Sequence, residues 1–324
     1  MNQPAPLVVI LGPTASGKSS LALEVARRWQ GEVVCCDSTQ LYRHFNIGTS
    51  KLRGPDRRGV PHHLMDLLEP NDIFTAGDYR RKALEVLADL RRRARLPVLT
   101  VGTGLYLRAL LEGLADAPGR SEDLRERLRR RSRQHGPGYL HRLLARLDPP
   151  SASRIAPQDA AKLIRAIEVC LAAGRPMSEV LRQPRPQLEG YQPVKIGLMP
   201  PRAALYARIE QRTRAMLAAG WLDEVRSLLA RGFNAGAKPF QFIGYGELRA
   251  HLAGVVDLET AQRAIQQATR RYAKRQITWF RREVGVDWFE GFGDDVAIAD
   301  RVLALLARRL ERPATGSGAA GGAV

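Results

Sequence analysis

The segment GPTASGKSS, Gly12 to Ser20, restricts what this chain can fold into more than any other stretch. From Gly12 to Ser19 it has the spacing G-x-x-x-x-G-K-S. The apolar run LVVIL precedes it, and SLALEVARRW follows, with Leu21, Val25 and Trp29 recurring at helical intervals. Strand, tight loop and helix must succeed one another here. Gly12 and Gly17 permit a turn that points successive N–H groups inward, and the helix adds its positive N-terminal end, so the loop suits an anion. Lys18 can reach the outer phosphate of a chain of two or three, and the Ser19 hydroxyl is placed to hold a phosphate-bound magnesium ion. The cradle candidates are Gly12, Pro13, Thr14, Ala15, Ser16, Gly17, Lys18 and Ser19. The loop does not name the reaction.

Three further apolar runs fit strands of a parallel sheet alternating with helices: EVVCC at 32 to 36, PVLTV at 97 to 101 and VKIGLM at 194 to 199. Between the last two, the segment from about Pro118 to Gly190 has no strand-like run. A strand follows it, so it reads as a helical insertion. The expected fold is α/β: a P-loop NTPase-like parallel sheet flanked by helices, with a helical insertion domain. The core is discontinuous, residues 1–117 and 191–309; the insertion covers 118–190, and 310–324 is a flexible tail with nothing to bury. After the returning strand, a helix starting at Pro201 shows apolar spacing at Leu205, Ile209, Met216 and Leu217, and places Arg208 and Arg212 on one face. In a later helix Ile265, Ala268, Tyr272 and Trp279 are expected inward, with Arg271, Lys274, Arg275 and Arg282 largely outward.

The chain has 324 residues, 44% of them hydrophobic, enough to bury a sizeable core. It carries 51 Lys plus Arg against 33 Asp plus Glu, a formal charge of +18. A polyanion is the expected partner. The insertion concentrates this charge, with 15 Lys or Arg against 8 Asp or Glu from Gly119 to Gly190. No run of eighteen apolar residues exists, and the N-terminal segment lacks a secretory pattern, so a cytoplasmic protein with no membrane association is expected. Cys35, Cys36 and Cys170 have neither disulfide nor zinc spacing and read as reduced core residues.

Asp37 follows the EVVCC strand and should emerge at the sheet edge where the phosphate loop opens. A carboxylate there can bind metal, orient a nucleophile or accept its proton; alternatively it only caps the following turn. Ser38, Gln40 and Tyr42 add hydrogen-bonding groups. A third strand end, TVGTGLYL, directs Thr103 to the same crevice. No apolar strand ends in an Asp of the Walker-B kind, which lowers the motor and switch readings. His62 and His63 have no accompanying ligand cluster and read as loop-structuring residues.

Taken together, GPTASGKSSLA, DSTQLYRHFNIGTSK, GVPHHLMDLLEP, GTGLYLRALLEG, RIEQRTRAML, FIGYGEL and AKRQITWFRR resemble the bacterial tRNA dimethylallyltransferases over nearly all of residues 7 to 290. The resemblance implies transfer of a dimethylallyl group from dimethylallyl diphosphate to N6 of adenosine 37, immediately 3′ of a tRNA anticodon. By resemblance the loop and Lys18 bind the diphosphate as a leaving group, Ser19 holds Mg2+, and Arg208 and Arg212 supply further positive charge. Asp37 takes the proton of the attacking adenine amine, and Thr103 sits near the reacting groups. The insertion is a clamp on the anticodon stem-loop. Implied RNA contacts are Asp37, Ser38, Thr39, Gln40, Thr103, Arg125, Ala161, Lys162, Leu163, Ile164, Arg165, Gln241, Phe242, Ile243, Gly244, Tyr245 and Gly246. Of these, Arg125, Lys162 and Arg165 suit phosphates by their own chemistry.

The chain departs from the family pattern at four places, of which Ser19 in place of threonine keeps the hydroxyl and should matter little. Val101 stands where the family usually has glycine, and valine tolerates neither a positive φ nor a very close backbone approach. Gly246 replaces a common Lys or Arg, and Thr39 a frequent methionine. A P-loop kinase of a small molecule or nucleotide, holding ATP in the same cradle, is the alternative reading; a non-catalytic RNA-binding module is a third. A single-chain enzyme is expected.

Overall fold

The structure, a computed structural model, describes residues 3–234 and 236–310. Six strands form one parallel sheet in the order β3-β2-β4-β1-β5-β6. They are β1 (Ala5–Leu11), β2 (Glu32–Cys36), β3 (His62–His63), β4 (Pro97–Val101), β5 (Tyr191–Leu198) and β6 (Val286–Phe289). β1 lies between β4 and β5, and Leu7 through Leu11 are fully buried. That is why its sequence is a continuous apolar run and not an alternation. Each such side chain contributes about 1.5–3 kcal/mol relative to exposure.

β3 and β6 are edge strands that the sequence pattern did not indicate. β3 is only the histidine pair, with His62 opposite Val33 and His63 opposite Val34. His63 Nε2 lies 2.6 Å from a carboxylate oxygen of the buried Glu32, which also accepts from Arg93.

Helix α1 (Lys18–Arg28) follows the phosphate loop and buries Leu21 and Val25. α2 (Ala76–Arg92) starts with a capping box, in which Thr75 and Asp78 each accept the other's backbone N–H, at 3.2 and 3.0 Å. α3 (Gly104–Glu112) leaves the end of β4. Chain contacts divide the molecule into two compact units, Leu111–Leu188 and the remainder. The expected insertion boundaries were 118 and 190.

The smaller unit consists of α4 (Glu122–His135), α5 (Tyr139–Leu147), α6 (Pro149–Ala152), α7 (Ala160–Ala173) and α8 (Met177–Val180). Its core gathers Leu128, Leu140, Leu144, Leu163, Ile164 and Ile167. In the larger unit β5 leads to α9 (Arg202–Ala218) and α10 (Trp221–Ala230), which are separated at Gly220, where φ is 93°. α11 (Tyr245–Leu252), α12 (Leu258–Phe280) and α13 (Val296–Leu310) complete it. Beyond Leu310 the expected tail lies outside the described residues.

α12 buries Ala261, Ile265, Gln266, Ala273, Gln276 and Phe280. Trp279, expected inward, is 39% exposed. The buried stripe passes through Gln276 and Phe280 instead, because polar Gln266 and Gln276 take positions that apolar periodicity overlooks. All three cysteines are buried and free. No helix of the described residues is long and apolar enough to cross a membrane.

Candidate active site

The phosphate loop needs both its glycines, for reasons of space as well as dihedral angle. Gly12 has φ 153° and Gly17 φ 83°. A methyl on Gly12 would lie 2.8 Å from Ser16 Oγ and 2.9 Å from the Leu198 carbonyl; one on Gly17 would collide with the Asp294 carboxylate. Gly293 donates its N–H to the Ser16 carbonyl at 2.8 Å, so the turn between β6 and α13 backs the loop. Ala15 adopts φ 63°, a left-handed conformation held by the same tight turn.

The N–H groups of Gly17, Lys18 and Ser19 have no protein acceptor among the described residues, and all sit at the positive end of α1. Thr14 differs: its N–H donates to Gln276 Oε1 at 2.7 Å. Ser16 Oγ is buried without a partner.

Lys18 folds back on the loop, donating to the carbonyls of Gly12 at 2.9 Å and Pro13 at 2.8 Å. Burial pushes its ammonium down to about 8, with the Asp37 charge opposing and Arg212 reinforcing the shift. Arg212 donates to Thr14 Oγ1 at 3.2 Å. It is lowered to about 10, first by burial, with Asp37 raising it and Arg208 adding to the lowering. Arg208 donates to both oxygens of Asp294, Nη1 to Oδ1 at 2.8 Å, and its guanidinium lies 4.5 Å from the centre of the Phe292 ring. The shared face of α9 thus brings both arginines to the loop.

Asp37 stands at the carboxyl end of β2, as its place after EVVCC requires. Its Oδ1 accepts from Thr39 N–H at 2.8 Å and from Thr39 Oγ1 at 2.7 Å. Its Oδ2 has no donor among the described residues and faces Gly102 so closely that any Cβ there would overlap it. The turn-capping and chemical readings of Asp37 are therefore compatible, one for each oxygen. Thr103 Oγ1 accepts from the Ser38 N–H at 3.0 Å and donates to Ser38 Oγ at 3.1 Å. Gly102 and Thr103 both donate their N–H to the Cys36 carbonyl at 3.0 Å. Val101 is a regular strand residue opposite Cys36 and Leu11, so valine costs nothing there; the close approach belongs to Gly102.

Gln40 is engaged at both ends, donating to the Thr49 carbonyl at 3.0 Å and accepting from Cys35 Sγ at 3.2 Å. The cradle's side-chain oxygens are the hydroxyls of Thr14, Ser16 and Ser19, and no cluster of three or more His, Cys, Asp or Glu suited to a metal occurs among the described residues. The donor set therefore fits an ion shared with a phosphate chain and not a closed protein cage.

The residues expected on RNA divide. Leu163 and Ile164 are 1% and 5% exposed in the core of the smaller unit, so their side chains face away from any ligand. Arg125 makes a two-bond pair with the fully buried Glu168, both at 2.8 Å, and Arg165 donates to the same carboxylate at 2.6 Å. Lys162 pairs with Asp159 at 2.6 Å, and Ala161 is exposed in the first turn of α7. Tyr245 is buried and donates to Glu224 at 2.6 Å, and Gly244, at φ 96°, packs on Trp221 with no room for a Cβ. Phe242 meets Tyr42 edge-on at 5.7 Å; Ile243 is half-buried. Gln241 is exposed, and Gly246 is half-buried, with the Phe240 carbonyl 3.5 Å from where a Cβ would stand.

A family model described as IPP transferase matches residues 40–283. The chain belongs to the IPP transferase family. It is 51% identical over 300 residues to the tRNA dimethylallyltransferase of Koribacter versatilis (strain Ellin345), covering 93% of this chain and 97% of that protein. Identity to the enzyme of the same name from Geobacter metallireducens (strain ATCC 53774 / DSM 7210 / GS-15) is 46%, covering 92% and 96%. Among solved structures, the tRNA isopentenylpyrophosphate transferase of Bacillus halodurans matches with TM-score 0.70 and 36% identity, over 94% of this chain and 97% of that one. A eukaryotic dimethylallyltransferase acting on tRNA shares the fold at TM-score 0.82 and 24% identity, over 97% and 81% of the chains.

Within this family member, sequence reasoning missed Gln276, Tyr272 and Asp294 as parts of the site. Gln276 lies in the KRQITWFR run already singled out, four residues beyond Tyr272, and its being polar on a buried face was the usable signal. Asp294 offered none, since its role depends on where the turn after β6 falls.

Proposed function

We propose that this chain transfers the dimethylallyl group of dimethylallyl diphosphate to N6 of adenosine 37 in the anticodon loop of tRNA, releasing diphosphate. The observation that carries this reading is the Asp37 carboxylate, with Oδ2 undonated, close enough to the cradle for its charge to act on both Lys18 and Arg212. The N6 amine attacks the allylic carbon, the carbon–oxygen bond to diphosphate breaks, and Asp37 takes the proton the amine loses. Negative charge grows on the departing diphosphate, which the undonated amides of Gly17, Lys18 and Ser19 would receive, joined by the Lys18 ammonium and Arg212 as these exchange their loop partners for phosphate oxygens. Fixed donors of this kind act chiefly on the transition state. Arg208 joins them by exchanging Asp294 for phosphate oxygens. Thr103, tied to Ser38, borders the space for the base.

A magnesium ion bound with the substrate would neutralise diphosphate charge, with Ser19 as its protein ligand. The target base must leave its stack, at a cost of roughly a few kcal/mol, which binding elsewhere on the RNA must offset. The helical unit is the proposed source, acting in the cytoplasm on the anticodon stem; its free cations, not the Glu168 pair, would meet phosphates.

The test incubates purified protein with magnesium, dimethylallyl diphosphate and unmodified tRNA and analyses the nucleosides by mass spectrometry. A five-carbon addition to adenosine is the expected product. ATP-dependent phosphorylation of a small molecule, with the tRNA unchanged, would replace this reading with a kinase.

A further inference from the structure

We infer that Gln276 is a positioning residue that ties the diphosphate loop to the peptide behind Asp37, setting leaving group and base in register. The inference rests on the function proposed above and adds a residue to it. Gln276 projects from the buried face of α12 and is 6% exposed. Its Oε1 accepts the Thr14 N–H at 2.7 Å, and its Nε2 donates to the Gly102 carbonyl at 2.8 Å. Tyr272, one turn earlier on the same helix, donates its hydroxyl to that carbonyl at 3.0 Å. One amide side chain therefore bridges two loops 88 residues apart in sequence, and neither loop bonds directly to the other through these groups.

Both ends of the bridge carry chemistry. Thr14 belongs to the cradle, and its hydroxyl receives Arg212 at 3.2 Å. Gly102 presents its carbonyl to α12 and its Cα to Asp37 Oδ2, with no space between. Its N–H is fixed on Cys36 at 3.0 Å. A shift of Gly102 toward or away from α12 is transmitted to the carboxylate by contact, while a shift of Thr14 moves the loop and its arginine. A misplacement of about 1 Å between reacting groups costs on the order of 100-fold in rate. Spending the Thr14 N–H on Gln276 also removes one donor from the anion cradle, which makes sense if the bond's value lies in position and not in binding.

Two variants test the inference. Gln276→Leu removes both bonds at similar volume. The expected result is a kcat about 100-fold below wild type, with KM for each substrate within about threefold. Gln276→Glu distinguishes positioning from mere packing: a neutral carboxylic acid keeps one acceptor for Thr14 and one donor for Gly102, whereas the carboxylate has no donor. Its kcat relative to wild type should rise as pH is lowered from 8 to 5.5, with both proteins folded throughout by circular dichroism.

Hydrogen exchange reads the tie without substrate. The Thr14 amide should exchange at least about tenfold faster in Gln276→Leu while β1 stays protected. A kcat within threefold of wild type, unaltered Thr14 exchange, or losses that only follow the unfolded fraction would overturn the assignment. Failure of the wild-type protein to prenylate tRNA would instead count against the proposed function, and the exchange result would still decide whether Gln276 holds the loop.

Discussion

The Lys18 ammonium is bonded to two carbonyls of its own loop, and burial weakens its hold on the proton. Because that burial brings it to about 8, a rise in pH from 7.5 to 9 should neutralise it in the free protein. Affinity for a non-cleavable dimethylallyl diphosphate analogue should fall across that window, and Lys18→Met should remove the step; calorimetric titration checks both. The sign for stability is opposite. The folded value lies below the ordinary lysine value of 10.5, so the folded chain binds fewer protons between about 8 and 10.5 and the burial penalty is relieved as pH rises through that range. At Asp37 the assignment of one oxygen to Thr39 and the other to catalysis predicts a clean separation. Asp37→Ala should lower turnover by about 10²–10⁴-fold while tRNA affinity stays within a few-fold. A large affinity loss with near-normal turnover would contradict the proposed role.

At the scale of single elements, α11 and α7 carry departures whose consequences can be measured. Gly246 occupies the second position of α11 without a positive φ, and a Cβ there would meet only the Phe240 carbonyl, at 3.5 Å, an ordinary contact. Gly246→Lys should therefore stabilise the protein by up to about 1 kcal/mol, seen as a higher melting temperature. It should also tighten tRNA binding by adding a phosphate partner. In α7, Glu168 is fully buried between Arg125 and Arg165. Burial alone would raise its carboxyl, but the bonds from Arg125, the Ser121 N–H and Arg165 outweigh it and bring the group to about 2. Its contribution is present above the ordinary carboxylate range and is lost as pH falls from about 4.5 toward 2. Glu168→Ala leaves two guanidinium groups without their partner and should cost about 3–5 kcal/mol in denaturant unfolding.

Across the whole molecule, charge and fold are distributed unequally between the two compact units. If the basic helical unit binds phosphates, the logarithm of tRNA affinity should fall linearly with that of salt concentration, steeply between about 50 and 200 mM; a flat response would remove the clamp from the account. How much of this was legible beforehand followed the range of the interactions. Loop, strands and phosphate chemistry were readable at Gly12 to Ser19, in EVVCC and in PVLTV, because glycine dihedrals, helix dipoles and two-sided burial act between near neighbours. The edge strands β3 and β6 were not, since two histidines or VDWF become strands only when β2 or β5 offers a free edge. Arg125 and Arg165 looked available for RNA because the sequence does not show that Glu168 lies buried between them. The chain's order of residues by itself determined a glycine-rich loop opening α1, a form suited to an anion, with an acid at the next strand end. Only the tertiary structure decided which donors remain free for that anion, that Gly102 makes room for Asp37, and that a glutamine from α12 joins the two. These are contacts between segments far apart in sequence, and no local periodicity encodes them.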